Sequence, residues 1–470
     1  MRAAAAILLA AAAPACASSG KEPTPFESGL LALRELADRS KPDADPGTVD
    51  VLVAPDATFV ERHGKETARV LEKAVAAADR VLGPEAGLRF RIAGAVVFPA
   101  PPEVRDDLRL LWEARLTLDR GLLDVVAAFT GQECGPRAGA AEPRLRLLLC
   151  ADGSDPVQNL VHEAAHLFGA QDFPRGHPGY ALPSVMSYDS DGPHTHRLDP
   201  VNLARVRARA GRLPTPEPDL AAVGLAARMR ALPPGERAAL RGAFVCAESR
   251  DSQGDGLPAA DRILSERPGE AAALWAKGEC LRVLRRPEEA EPRFRTALEA
   301  IASSAHAPDG LDRHVVLETA RLAVDGVDGL EALRATAEAA LTRVEAEFPR
   351  DPEVLDLRAS LRARAGDREA AERLYREAME ADPDAVYPRR HLASLGKSQG
   401  DAALWLEGWR AALAADPLDP LLGVRFVEDG LEAFPAAIRG DARAEALAAL
   451  DAAERAFPGW TDPARLREML

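Results

Sequence analysis

The sequence predicts a chain of several domains, in which an α+β domain precedes an all-α array of helical repeats. The chain has 470 residues, which is enough for two to four domains with their own hydrophobic cores. Apolar runs with strand and helix periodicity alternate between residues 48 and 212. Beyond a Pro-rich linker at 213–218, almost every pattern in 219–470 is helical and one spacing recurs.

The composition excludes several classes of protein. Hydrophobic residues make up 47% of the chain and charged residues 28%, as in ordinary globular proteins. The net charge of -15 argues against nucleic acid as the main partner, because nucleic-acid binding depends on basic side chains. These values exclude a disordered protein, a basic nucleic-acid binder and a polytopic membrane protein.

The N-terminal segment 1–16 has the pattern of an export signal. Arg2 precedes an apolar run at 3–13, which is too short for the roughly 20 residues that span a bilayer as helix. The order Ala13-Pro14-Ala15-Cys16 resembles a bacterial lipobox, with Ala13 in place of the usual Leu or Val. The resemblance implies a lipoprotein of the cell envelope, held at the membrane by lipid on Cys16 alone and followed by a polar tether, 17–47. The alternative is an ordinary cleaved signal on a secreted or periplasmic protein.

Strands and helices alternate through 48–212, which predicts an α+β or mixed α/β domain. Apolar runs predict strands at 49–53, 88–98, 123–129 and 145–150, and amphipathic patterns predict helices at 65–82, 103–114 and 157–168. A further short helix is predicted near 29–38. We expect the strand at 123–129 or the strand at 145–150 to offer its edge to an extended substrate.

A 34-residue period organises the segment 219–470. The spacing recurs in Pro349, Pro383 and Pro417, and again in the pairs Gly366-Asp367 and Gly400-Asp401. A helix–turn–helix unit of this length resembles the tetratricopeptide repeat. The resemblance implies a solenoid of five to seven helical pairs whose surface binds a protein partner.

The motif that carries chemistry is His162-Glu163-Ala164-Ala165-His166, inside the predicted helix at 157–168. Residues four apart share one face of a helix, so both imidazoles can bind one Zn²⁺ with Glu163 beside the metal-bound water. Gly169 lets the chain turn after the helix, which brings Asp172 back as a third ligand.

The two segments 162–172 and 184–188 together resemble the metzincin metallopeptidases. They read H-E-x-x-H-x-x-G-x-x-D and S-x-M-x-Y. The resemblance implies one Zn²⁺ per chain held by His162, His166 and Asp172, with Glu163 as general base, Met186 below the ligands and Tyr188 assisting the oxyanion. The usual third ligand in this family is His, whereas Asp172 resembles the snapalysin-type minority.

The sequence contains seven further histidines that could bind a metal or lie at the surface. His177 is an alternative third ligand, although it lies outside the motif spacing. His194 and His196 either line the cleft or are solvated loop residues. The simplest interpretation of His63, His306, His314 and His391 is that they lie at the surface.

The sequence therefore predicts an exported zinc endopeptidase that cleaves a protein or peptide substrate and carries a docking array. The alternative is a catalytically inert lipoprotein scaffold whose repeats bind protein partners. A third hypothesis is a zinc hydrolase that acts on another kind of bond, because the motif defines the metal and the base but not the substrate.

Four cysteines besides Cys16 would meet an oxidising compartment in an exported chain. A bridge between Cys134 and Cys150 is favoured, because it closes a short loop. Cys246 and Cys280 are 34 residues apart, so a bridge between them needs neighbouring helices closer than the usual 8–10 Å. The alternative is that these residues are buried thiols.

Overall fold

The computed structural model describes residues 23–40, 47–100, 106–118, 123–132, 139–152, 155–174, 176–180, 182–187, 197–250 and 256–470. The predictions for Cys16, Cys134, Tyr188, His194 and His196 lie outside these residues. The chain divides into two compact units, Met1–Asp219 and Leu220–Leu470. Within the described residues, helices long and apolar enough to cross a membrane are absent.

The first unit combines six described α-helices with a five-stranded sheet. The helices are α1 (Pro25–Arg39), α2 (Ala57–His63), α3 (Thr67–Ala86), α4 (Asp107–Thr117), α5 (Pro156–His166) and α6 (Pro200–Ala208). The strands are β1 (Thr48–Pro55), β2 (Arg89–Ala95), β3 (Val125–Thr130), β4 (Gly139–Glu142) and β5 (Leu147–Ala151). A 3-10 turn, Gly64–Glu66, joins α2 to α3. The four predicted strands and three main predicted helices are present with bounds shifted by a few residues, whereas β4 was not predicted.

The sheet has the order β2-β1-β3-β5-β4. Strands β2, β1, β3 and β5 are parallel to their neighbours, and β4 pairs antiparallel with β5. Parallel strands need crossover connections, which α3 supplies between β1 and β2. This is the mixed α/β arrangement rather than an α+β arrangement with segregated helices.

Helices cover both faces of the sheet. Along β3, Val125, Ala127 and Phe129 face the core that contains α1, α3 and α5. The alternate residues Val126 and Ala128 face the opposite core, to which α4 contributes Leu110, Leu111 and Ala114. Strands that are buried on both faces consist of continuous apolar residues. This pattern explains why the positions of these strands could be predicted from the sequence.

Part of the predicted tether belongs to the folded unit. Helix α1 begins with a capping box between Thr24 and Glu27, and its Leu33 and Leu36 are buried in the main core. The Pro-rich segment 213–218 also contacts this unit, since Arg146 Nε donates to Pro214 O at 2.8 Å. The first unit therefore contains folded residues on both sides of 48–212.

The second unit is helical throughout its described residues. Its α-helices are α7 (Leu220–Arg230), α8 (Pro234–Ser249), α9 (Gly256–Glu266), α10 (Ala271–Val283), α11 (Pro287–Ala302), α12 (Gly310–Asp325), α13 (Arg334–Glu345), α14 (Pro352–Arg364), α15 (Arg368–Ala381), α16 (Val386–Ser398), α17 (Ala402–Ala415), α18 (Pro420–Ala433), α19 (Pro435–Arg439), α20 (Arg443–Ala456) and α21 (Thr461–Met469). A 3-10 segment, Val327–Leu333, precedes α13. Consecutive helices pack in pairs, such as α10 with α11 and α16 with α17.

The recurring Gly-Asp pairs lie between the two helices of a pair. Gly366 and Gly400 have φ angles of 83° and 70°, a left-handed conformation that glycine adopts without strain. The next residues, Asp367 and Asp401, accept hydrogen bonds from backbone N–H groups of the following helix and act as its N-cap. Helices α14, α16 and α18 begin 34 residues apart. The predicted period is therefore confirmed as a helix–turn–helix repeat.

Small residues allow the helices of a pair to approach closely. A β-carbon on Gly278 would lie 2.7 Å from Phe294 Cε1, so α10 and α11 approach closely only without a side chain there. The cysteines Cys246 and Cys280 are buried thiols, as is Cys150 of β5, in agreement with the alternative interpretation. The predicted bridge between Cys134 and Cys150 is therefore not present in this structure, because Cys150 is a free thiol; Cys134 itself lies outside the described residues.

Candidate metal centre

The two motif histidines lie on one face of α5. Asp155 caps this helix by accepting a hydrogen bond from Val157 N, and Pro156 occupies its first turn, where no N–H is needed. Four residues separate His162 from His166, and their ring centroids lie 5.0 Å apart. The helix therefore presents both imidazoles side by side, as the spacing predicts.

Each imidazole is oriented by a backbone carbonyl. His162 Nδ1 lies 2.8 Å from Val185 O, and His166 Nδ1 lies 2.9 Å from Ala170 O. An Nδ1–H that donates to a carbonyl leaves Nε2 as the nitrogen with a lone pair. This arrangement is typical of metal-binding histidines, because it fixes both the tautomer and the direction of the ring.

Asp172 returns to the two imidazoles after the helix ends. Gly169 has a φ angle of 76°, which turns the chain back. Asp172 Oδ1 then lies 3.1 Å from His162 Nε2 and 3.4 Å from His166 Nε2. The ligand atoms of these three residues lie within 4.8 Å of one another, and they are the one group of this kind among the described residues.

The donor set fits a zinc ion. Asp172 Oδ1 is buried but has no hydrogen bond of acceptable geometry, although two imidazole nitrogens are within 3.4 Å. A buried carboxylate oxygen without a hydrogen bond is costly unless another group satisfies it, and a cation would do so. Two imidazole nitrogens and one carboxylate oxygen are ligands that zinc accepts, with a fourth position left for water. His162, His166 and Asp172 would hold the ion; its presence stays a prediction.

Glu163 lies beside this group but is not part of it. The side chain is buried, with 6% of its surface exposed, and Oε1 is 4.0 Å from His162 Nε2. Burial raises the pKa of Glu163 to about 7, because the two imidazoles only partly offset the loss of solvation. A carboxyl group with a pKa near neutrality suits a general base that must later return its proton.

The contact between His162 and Asp172 shifts the pKa values of these two residues in opposite directions. Burial acts to lower the pKa of His162, but its contact with Asp172 and the charge of Glu163 outweigh burial and raise the pKa to about 9. Burial acts to raise the pKa of Asp172, but its contacts with His162 and His166 hold that pKa well below its usual range. The contact between His162 Nε2 and Asp172 Oδ1 therefore favours the charged form of both side chains.

The segment around Met186 pairs with the segment that carries Asp172. Phe173 N donates to Met186 O at 2.8 Å, and Phe173 and Ser187 form a parallel bridge. The Met186 side chain is completely buried in the main core. The predicted role of Tyr188 stays a prediction, since Tyr188 lies outside the described residues.

Among the histidines that the structure describes, only His162 and His166 belong to this centre. His177 stacks on Phe173 with ring centroids 4.5 Å apart, and its Nδ1 accepts a hydrogen bond from Gly179 N. His63, His314 and His391 each contact one carboxylate, that of Asp152, Glu248 and Asp356 respectively. Their side chains are 20%, 17% and 40% exposed, so the expected surface position fits His391 and fits the other two only in part. Sequence reasoning missed these pairs because the partners are at least 35 residues apart.

Two comparisons with known proteins found no match. No family model matches the chain, and no curated relative matches it. Among solved structures, the chain is similar to the crystal structure of PilW, described as a widely conserved type IV pilus biogenesis factor. The identity is 14% and the TM-score is 0.36, over 50% of this chain and 99% of that one. A likeness at this TM-score identifies neither a family nor a function for this chain.

Proposed function

We propose that this chain is an exported zinc-dependent hydrolase of metzincin type that cleaves peptide bonds and docks a protein partner on its helical repeats. One observation carries the proposal. His162 Nε2, His166 Nε2 and Asp172 Oδ1 converge within 4.8 Å, and the Glu163 carboxylate stands 4.0 Å from His162 Nε2. A set of three ligands beside a carboxylate with a raised pKa is what hydrolysis by an activated water requires.

The chain's own residues supply orientation and proton transfer. Bound zinc would lower the pKa of its water and polarise the substrate carbonyl. Glu163 accepts the proton of the attacking water and passes it to the leaving amine. Val185 O and Ala170 O keep both imidazoles turned toward Asp172 throughout, so the ligand geometry needs no rearrangement during the reaction.

The position of β4, the strand next to Glu163, favours a peptide as the substrate. The expectation that the strand at 123–129 or 145–150 offers an edge is wrong, because β3 and β5 both have neighbours on either side. The terminal strand on that side of the described sheet is β4, and Gly139 at its start lies against the Glu163 carboxylate. An extended peptide that adds to β4 would therefore pass the general base.

The test is a comparison of Glu163→Gln with the parent as the full chain. Both proteins should hold about one Zn²⁺, whereas Glu163→Gln should lose at least a hundredfold in cleavage of an unstructured protein. A chelator should abolish cleavage by the parent. Glu279→Gln is a matched control, because Glu279 is equally buried but lies in the second unit against Arg282. Equal turnover by Glu163→Gln and the parent would exclude the mechanism.

A second candidate is an inert scaffold whose helical repeats bind protein partners. The extent of the second unit favours it, since the described residues of Leu220–Leu470 form paired helices of the kind that stack into extended binding surfaces. The scaffold function is favoured if the parent binds zinc but cleaves neither peptide nor ester substrates. Cleavage of an ester without cleavage of peptides would instead indicate the third hypothesis, a hydrolase for another bond.

A further inference from the structure

Helix α6 carries buried polar side chains at every third position. Asp199 is the N-cap residue, and Asn202 and Arg205 follow on the same face, with exposed fractions of 2%, 0% and 6%. Polar groups this deeply buried are retained where they make hydrogen bonds that the fold needs. Each of the three reaches a segment that contributes to the metal centre.

Asn202 holds the residue that precedes the third ligand. Gln171 N donates to Asn202 Oδ1 at 2.7 Å, and Asn202 Nδ2 donates to Gln171 O at 3.1 Å. The side-chain amide thus pairs with both polar groups of one backbone residue. On the other side of Asp172, Phe173 N donates to Met186 O at 2.8 Å. The backbone on both sides of Asp172 is therefore fixed.

Asp199 connects the same helix to the segment that orients His162. Asp199 Oδ2 accepts hydrogen bonds from Asn202 Nδ2 at 2.8 Å and from Ser184 Oγ at 2.7 Å. Ser184 Oγ in turn accepts a hydrogen bond from Met186 N at 3.1 Å. Val185, between these two residues, supplies the carbonyl that contacts His162 Nδ1.

The turn at the end of α5 contacts this helix as well. Arg205 Nη1 donates to Gly169 O at 3.4 Å, and a β-carbon on Gly169 would lie 3.0 Å from Arg209 Cζ. Helix α6 and its N-cap residue therefore hold three segments of the metal centre. These are the turn after His166, the backbone next to Asp172 and the segment of Met186. Ligands that are already held in position lose little conformational entropy when the metal binds. Residues outside the ligand set that hold them in this way therefore raise metal affinity.

We propose that Asn202 is a positioning residue for Asp172, and that the Asn202–Asp199 pair couples the third ligand to the orientation of His162. This inference rests on the proposed metal centre and adds the residues that set its affinity. Asn202 does not touch the metal or the substrate. Its effect passes through the backbone of Gln171 to the position of the Asp172 carboxylate.

The test measures zinc affinity of the full chain by competition with a chromophoric chelator. Asn202→Leu keeps the side-chain shape but removes both hydrogen bonds to Gln171, and it should weaken zinc binding by about 10–100-fold. The visible absorption of the Co²⁺-substituted protein should also shift, because the carboxylate ligand moves. Thr67→Val is the matched control, since the buried hydroxyl of Thr67, at the start of α3, donates to Gly64 O of the preceding 3-10 turn. Its loss should leave zinc affinity unchanged.

Each outcome bears on one claim. Zinc affinity within threefold of the parent and an unchanged Co²⁺ spectrum in Asn202→Leu would overturn the positioning role while leaving the hydrolase proposal intact. Weaker zinc binding by Asn202→Leu, together with a parent that hydrolyses nothing, would support the positioning role and exclude the hydrolase proposal. If Asn202→Leu does not fold, Ser184→Ala tests the other arm of the network, and there a loss of several-fold in zinc affinity is expected. Unchanged affinity in Ser184→Ala would then overturn the inference.

Discussion

Gly139 and Glu163 are in such close contact that a β-carbon on Gly139 would lie 2.6 Å from Glu163 Oε1. The same β-carbon would lie 2.5 Å from Leu149 O, so the backbone of β5 blocks the other direction. These distances are shorter than ordinary van der Waals contacts. The start of β4 and the candidate general base therefore fit together only because residue 139 has no side chain.

Gly139→Ala should consequently displace the Glu163 carboxylate without removing a ligand. We expect cleavage to fall at least tenfold while zinc content stays at one per chain, because the base moves and the ligands do not. Zinc analysis and steady-state kinetics on the same preparation measure both effects. Gly242→Ala is the control, because a β-carbon there would meet open space. Full activity in Gly139→Ala would mean that Glu163 tolerates displacement and is not the base.

The metal-free chain should lose stability as the pH rises from 7 to 9. The pKa of His162 is raised from 6.5 to about 9 in the folded state, so its stabilising effect is complete below pH 6.5 and disappears as the pH rises through 9. The pKa of Glu163, raised to about 7, gives a loss at lower pH, between 4.5 and 7. Asp172 has a lowered pKa and stays ionised throughout.

Urea unfolding in a chelator at pH 7 and pH 9 measures this loss, which should be on the order of 1–3 kcal/mol. His162→Asn should reduce the difference between the two pH values. The zinc-loaded parent should also show a smaller difference, because metal binding requires the neutral imidazole at both pH values. A parent whose unfolding free energy is the same at pH 7 and pH 9 would contradict the predicted coupling of His162 to Asp172.

Local patterns predicted the parts of this molecule that local interactions determine. The spacing of His162 and His166 is enough to place both on one face of α5, and the Gly366-Asp367 pair determines its turn and cap by itself. Strand β4 could not be predicted, because Gly139–Glu142 contains no β-branched or aromatic residue and pairs only through its backbone with β5. Asn202 was missed for a similar reason, since its partner Gln171 is 31 residues away.

The close packing of α16 and α17 gives a prediction for the second unit. A β-carbon on Gly408 would lie 2.7 Å from Arg389 O, and one on Gly396 would lie 2.8 Å from Trp405 Cα. Because both obstacles are backbone atoms, Gly408→Ala should force the helices apart and lower the free energy of unfolding by about 1–3 kcal/mol. Chemical denaturation followed by circular dichroism measures this change. In Gly242→Ala, the open helical position should instead gain up to about 1 kcal/mol. Equal stability of Gly408→Ala and the parent would contradict the close approach.

The identity of the third ligand gives the last prediction. Asp172→Asn keeps the shape of the side chain but removes the charge that makes it a zinc ligand, so zinc affinity should fall at least tenfold. His177→Ala should leave zinc affinity unchanged, because His177 stacks on Phe173 and lies outside the group that contains His162 and His166. Asp172→His should retain zinc, since imidazole is the usual ligand at that position in the family that the motif resembles.

Equilibrium competition for Zn²⁺ compares these three variants directly, and thermal unfolding provides an independent measure. Zinc should raise the melting temperature of the parent and of His177→Ala equally, because an ion that binds only the folded state stabilises it in proportion to the logarithm of its excess over Kd. Asp172→Asn should show a smaller shift at the same zinc concentration. If His177→Ala loses the zinc-dependent shift and Asp172→Asn keeps it, then the loop rearranges when metal binds and His177, rather than Asp172, completes the centre.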